Sequence, residues 1–287
     1  MGKLVVRIVG GVVASYLGAG IVVGAMALLG IYQQLWAGYV PLMLAATVIG
    51  AVTTGVLLLY AHVLGGVPVQ AFSFAADRRD VVVGGLSAAL LLGLAAGYIV
   101  LLDRLGLRTV TPVAPSWGVI AIGLLGAAGT IHEEVLWRGY ALPLLRRYGI
   151  GRALVIGAVL FMLMHFATRG VSFLAVTWFL WGLGYGYVYL RSGSLLVAGV
   201  VHALHNFAAD LFLYSDNGVA LVAFATKLGA VEKVSFEIVQ VAVIGLLMYV
   251  AYGRGRLLDV SPRLQARWDL IDDVPAVVPQ PLPVSIP

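Results

Sequence analysis

The chain of 287 residues contains no cysteine. Disulfides, a thiolate nucleophile and thiolate-bound metals are thereby excluded. Charge is scarce too: Asp, Glu, Lys and Arg make up 11% of the chain, against 61% hydrophobic residues and a mean hydropathy of +1.01. That balance lies outside the range of ordinary soluble domains. The short alternating segments of a membrane β-barrel are missing, and neither a fixed-period repeat nor an internal duplication is visible.

What the chain has is hydrophobic runs. Stretches of about 20 residues, enough to cross roughly 30 Å of hydrocarbon at 1.5 Å per residue, recur along almost its whole length. Eight candidate spans fall at 8–30, 37–62, 81–102, 117–145, 153–167, 173–190, 195–214 and 237–252. The fifth is short and is carried by its neighbours. The expected fold is all-α, a polytopic transmembrane bundle of about eight helices, and 36 glycines suit helices packed backbone to backbone. The first run follows Lys3 and Arg7 as a signal peptide would, but it is too long for such a segment and lacks a clear cleavage site, so a retained helix is expected.

The net charge of +5 is informative through its placement. With the N-terminus inside, twelve cations fall in cytoplasmic segments: Lys3, Arg7, Arg78, Arg79, Arg146, Arg147, Arg152, Arg191, Arg254, Arg256, Arg263 and Arg267. Only five, Arg104, Arg108, Arg169, Lys227 and Lys233, fall on the other side. This asymmetry follows the positive-inside rule with both termini cytoplasmic. The basic character therefore reflects topology and implies no nucleic-acid partner, and on this reading the functional site opens toward the cytoplasm.

Ionisable side chains inside the spans concentrate in three of them. The fourth carries His132, Glu133, Glu134 and Arg138, the fifth His165, and the seventh His202, His205 and Asp210 with Asn206 beside them. Counted from the end with the cations, Glu133, His165 and Asn206 come to one level, roughly 17 to 18 Å deep at 1.5 Å per residue. A charge at mid-bilayer costs at least about 3 kcal/mol, so such groups are functional by default. Glu134 and Arg138, four residues apart with the acid first, should pair on one helix face. Glu133 is offset by about 100° and is left to face a cavity, where it could serve as a general base. His165 follows Phe161 by one turn and could hold the same water. His202, Asn206 and Asp210 line one helix face, and an amide and an imidazole are neutral donors suited to an oxyanion. His132 and His205 point elsewhere on their helices, while Asp210 could orient His205 or meet the outer interface.

The order EEVLWR at Glu133 to Arg138, FMLMH at Phe161 to His165 and HALHN at His202 to Asn206, each on its own helix, resembles the CPBP family of intramembrane proteases. That family includes type II CaaX prenyl endopeptidases and bacteriocin-processing and immunity proteins. The run GLGYGYVYLRSGSLL is also similar to the segment preceding the family's last motif. The resemblance covers roughly 117–210. It implies a CaaX-protease-like bundle that hydrolyses a peptide bond of a membrane-associated, prenylated or leader-bearing protein by glutamate-activated water. Glu133 and His165 would hold the water, His202 and Asn206 would form the oxyanion hole, and Glu134 and Arg138 would organise the site.

The lipid bilayer and a membrane-associated protein or peptide are the expected partners. No cofactor is expected; zinc is the alternative, since His165, His202 and a glutamate could ligate it, although the HExxH spacing is absent. A non-proteolytic immunity or scaffold protein and a proton-coupled transporter are the competing functions. The organisation expected is 1–116 as N-terminal transmembrane helices, 117–214 as the catalytic core, 215–252 as a loop and last span, and 253–287 as a Pro-rich cytosolic tail. That tail ends in VPAVVPQPLPVSIP and is expected to be extended.

Overall fold

The computed structural model describes residues 2–36, 38–214, 219–253 and 255–271. They form a helical bundle in which α1 (Gly2–Leu28), α2 (Tyr39–Val63) and α3 (Arg78–Arg104) precede a broken fourth span. That span consists of α4 (Trp117–Ala128), α5 (Ile131–Glu134), a π-helical stretch over Val135–Ala141 and α6 (Leu142–Leu145). Then come α7 (Ile150–Arg169), α8 (Ala175–Ser192), α9 (Leu195–Phe212), α10 (Ala230–Ala251) and the short α11 (Pro262–Trp268). Among the described residues six stretches are long and apolar enough to cross a membrane, and Ile150–Phe166 is a shorter apolar helix. The protein is an integral, multi-pass membrane protein.

Local chemistry sets several helix starts. The Asp80 amide donates to the Asp77 carboxylate at 3.0 Å and the Asp77 amide to the Asp80 carboxylate at 2.8 Å, a reciprocal capping box that opens α3. Ser116, Ser194 and Ser261 cap α4, α9 and α11 through amides three residues on. Sequence boundaries set on apolarity placed the last span too late. The helix starts at Ala230, where the Glu232 carboxylate accepts from the Gly229 amide, so Glu237 lies inside it and not at its edge.

The bundle is ordered around α9, 67% of whose span window is buried, against 28% for α1. The outward faces of α1 and α3 carry Val6, Leu17, Ile21, Val81 and Val100, all more than half exposed, which is the surface hydrocarbon requires. Glycine brings backbones together where the fourth span breaks: a Cβ on Gly50 of α2 would lie 2.2 Å from the Gly129 carbonyl oxygen. Likewise, a Cβ on Gly182 of α8 would lie 2.8 Å from the Ala158 Cα of α7. A feature with no signal in the sequence is a two-stranded antiparallel pair, β1 (Val110–Pro112) with β2 (Val222–Phe224), in the register Val110 to Phe224.

The stretch read as an extended tail is in part ordered. Residues 255–271 fold back so that Leu264, Trp268 and Ile271 are buried in the core, and the Ser261 amide donates to the Leu190 carbonyl at 2.9 Å. Pro262 sits at the start of α11, where its missing N–H is no loss. The Pro-rich end, 272–287, lies outside the described residues.

Candidate active site

The broken fourth span sets up the site. Its π-helical stretch follows Glu133 and Glu134 directly, and single π turns of this kind commonly accompany functional sites. Glu134 is fully buried, and its Oε1 accepts from Arg138 Nη1 at 3.2 Å and from His202 Nδ1 at 2.8 Å. Arg138 spends Nη2 on the Gly182 carbonyl at 2.8 Å and lies over the Phe161 and Tyr185 rings at 4.9 and 5.3 Å. The expected pairing of Glu134 with Arg138 is present, and His202 joins it. A buried carboxylate, guanidinium and imidazole thus offset one another's desolvation.

Glu133 turns away from this triad. Its side chain is 16% exposed, and Oε2 lies 4.0 Å from His165 Nε2. That separation is too long for a direct hydrogen bond and matches two groups holding one water. His165 Nδ1 donates to the Phe161 carbonyl at 2.9 Å, which fixes the ring with Nε2 on the side of Glu133. Phe161 and Trp178 flank the ring, with centroids at 4.6 and 5.2 Å.

Glu133, His165, His202 and Asn206 all line one cavity of roughly 430 Å³. The level expected from counting along the helices is thus a shared wall. A second, smaller cavity of about 220 Å³ reaches Glu133 and His165 from the flank between α1 and α7, past Ser15, Tyr16 and Met164. His132, whose Nδ1 donates to the Gly129 carbonyl at 2.8 Å, lines this lateral opening and not the main one. Asp210 meets the outer interface: its Oδ2 accepts from Tyr39 Oη at 3.3 Å.

The direction of the main cavity corrects the expectation that the site opens at the end carrying most cations. From Glu133 it runs to Tyr39, Thr177, Asp210 and Tyr214, where α2 and α8 begin and α9 finishes. Toward the opposite end every residue from Glu134 to Arg146 is buried, and none of Leu136 to Arg146 lines the cavity. Counting residues fixed a level in the membrane, whereas side-chain packing decided which way the level is open.

Sequence reasoning missed Glu237. On α10, it accepts from Trp181 Nε1 at 2.5 Å and from His205 Nε2 at 2.8 Å, and His205 Nδ1 accepts from the Tyr185 hydroxyl at 2.7 Å. Tyr185 in turn stacks on His202 at 4.2 Å. This second carboxylate–histidine relay lines the same cavity. Among the described residues no three His, Asp or Glu side chains gather as ligands of one metal ion. Structural and catalytic zinc sites use three or four.

A largely helical membrane bundle with carboxylates, imidazoles and an amide converging on an internal cavity defines a candidate intramembrane hydrolase. Residues 115–208, about a third of the chain, match the family model described as "Type II CAAX prenyl endopeptidase Rce1-like". It contains every motif residue named above, from Glu133 to Asn206. No curated protein and no solved structure matches the chain.

Proposed function

We propose that the protein is a glutamate-dependent intramembrane endopeptidase that cuts a membrane-associated protein or peptide. One observation supports this above the others: Glu133 and His165 present two acceptors 4.0 Å apart inside a cavity shared with His202 and Asn206. A water between them gives one proton's hydrogen bond to Glu133 and the other to His165, so its oxygen lone pair is free to attack. As the water oxygen bonds to the peptide carbonyl carbon, Glu133 takes its proton. Glu133 then returns the proton to the amide nitrogen as the C–N bond breaks.

The oxyanion formed between these steps needs donors in place beforehand. Asn206 supplies a neutral amide N–H. His202 commits Nδ1–H to Glu134, which holds its ring on the cavity wall one turn from Asn206. Glu134 and Arg138 act through His202 as positioning residues. The lateral opening beside Glu133 gives a substrate in the bilayer a route to the same water. No metal takes part in this scheme.

The test is proteomics of peptides and membrane-protein termini in cells carrying wild type or Glu133→Gln. The expected result is a discrete set of termini that vanish, with their uncut precursors accumulating. Identical termini in the two strains would remove the proposal.

A further inference from the structure

The main cavity reaches the start of α2 at Tyr39, and the sealed end of the bundle lies at the other end of that helix. There α2 stops in a Gly65–Gly66 turn. Gly66 has a φ of 63°, the left-handed region that glycine enters without steric cost, and a Cβ on it would lie 2.8 Å from Arg7 Nη2. The turn closes on α1 and offers its carbonyls to one side chain. Arg7 Nη2 donates to the Gly66 carbonyl at 2.9 Å and Nε to that of Gly65, while the Arg7 carbonyl accepts from the Tyr60 and Tyr140 hydroxyls at 3.1 and 3.0 Å. Guanidinium and backbone are both held in place.

Carbonyls orient a cation without cancelling its charge. Lys3 precedes Arg7 by one helical turn on the same face, and both line a cavity of roughly 660 Å³ together with Arg147, which has interactions of its own. Among the described residues neither Lys3 nor Arg7 has a carboxylate partner, and no Asp or Glu lines the cavity. Val6 and Leu64 line it as well, 70% and 73% exposed, as side chains that meet hydrocarbon are. Fixed positive charge at the ends of two transmembrane helices thus adjoins open apolar surface. An arginine carries five N–H donors in a planar fork that matches phosphate oxygens, and the turn takes two of them. Basic pockets between transmembrane helices hold anionic headgroups in this way.

We propose that this cavity binds an anionic phospholipid, its phosphate on Arg7 and Lys3 and an acyl chain along Val6 and Leu64. A free phosphate would leave the apolar part of the cavity unused.

Native mass spectrometry of the purified full chain, titrated with phosphatidylglycerol or with phosphatidylcholine of the same acyl chains, tests the proposal. One phosphatidylglycerol per chain is expected to be held at least about tenfold more tightly than phosphatidylcholine, since each cation near the surface adds to the attraction. Equal retention of the two lipids overturns the site. Lys3 is exposed, so Lys3→Gln leaves the packing as it is and should weaken phosphatidylglycerol about fivefold. Arg7→Gln should weaken it further. Arg152→Gln, exposed on α7 and outside the cavity, should change nothing, and a loss there equal to that of Lys3→Gln would replace the site with diffuse surface charge. Excess inorganic phosphate should leave the lipid bound; full displacement would make the occupant a free phosphate and overturn the lipid assignment.

Discussion

The two ends of the bundle use charge in opposite ways. At the sealed end, cations are spent on backbone carbonyls and on the acids of one helix cap. Arg7 donates to Gly65 and Gly66, Arg191 to Gly253 and Arg256, and Arg263 to Asp77 at 2.5 Å and Asp80 at 2.7 Å. In the half that opens, carboxylates face an internal cavity, and Glu133 Oε2 has no hydrogen-bond partner among the described residues. Buried polar groups fully paired within the protein build structure, whereas one aimed into a cavity is held for a ligand or a water.

That contrast breaks most readily at the buried Glu134–Arg138 pair. Glu134→Gln leaves Arg138 buried with no opposite charge and should cost roughly 3–5 kcal/mol of stability. A thermal melt of the variant in bicelles checks this, and an unchanged midpoint would place the Glu134–Arg138–His202 cluster outside the stabilising core. Asn206→Ala should lower single-turnover cleavage by about 100- to 1000-fold with little change in apparent affinity, since its donor acts only on the transition state. A fully active variant, together with a wild type silenced by a strong chelator, would replace the oxyanion scheme with a metal-dependent one.

Glu237→Gln sharpens the comparison on the open side. It keeps the shape but removes the charge that orients His205, so a loss of about tenfold in turnover is expected, with an altered pH profile and an unshifted melting midpoint, as for a positioning residue. A pH profile identical to wild type would reduce the relay to packing.

The smallest effect belongs to the sealed end. The backbone N–H of Asp80 and then the Arg263 guanidinium hold the Asp77 carboxyl below its ordinary 3.8, and Arg263 is itself held above its usual value, chiefly by its hydrogen bond to Asp80. A lowered carboxyl contributes stability that is complete above its unfolded value and is lost as pH falls through the lower folded one. The arginine's pKa is raised, so its part is complete at every working pH. Arg263→Ala should therefore lower the melting midpoint by a few degrees at most at neutral pH, and the gap to wild type should close as pH drops below about 3.8. A gap that widens on acidification would reverse the assignment.

Much of the site could be read from spacing because its pieces are local. Glu134 and Arg138 are four apart on one helix, Phe161 and His165 likewise, and His202 and Asn206 again, so helical periodicity alone places each pair. The partners of His205 could not be read that way. Glu237 arrives from a helix 32 residues on and stood at the margin of a span whose boundary was set on apolarity. The capping role of Glu232 explains why the helix begins earlier. The π-helical stretch had no composition signal, since its VLWRGYA sequence suits an ordinary helix. The inward fold of Leu264 and Trp268 was hidden by the proline-rich sequence that follows. Direction of opening depends on Phe72 and Leu195 meeting over Gly139, three residues far apart in the chain.

The central claim is that the two adjacent glutamates divide the work, Glu133 holding the water and Glu134 holding the cluster. The most direct test measures single-turnover cleavage and melting midpoint together for Glu133→Gln and Glu134→Gln, using a substrate found by the proteomic comparison. Glu133→Gln is expected to lose at least about 100- to 10,000-fold in rate while melting as wild type does, and Glu134→Gln to melt well below it. Equal midpoints with equal losses of rate, or a Glu133→Gln protein that still cuts, would contradict the account.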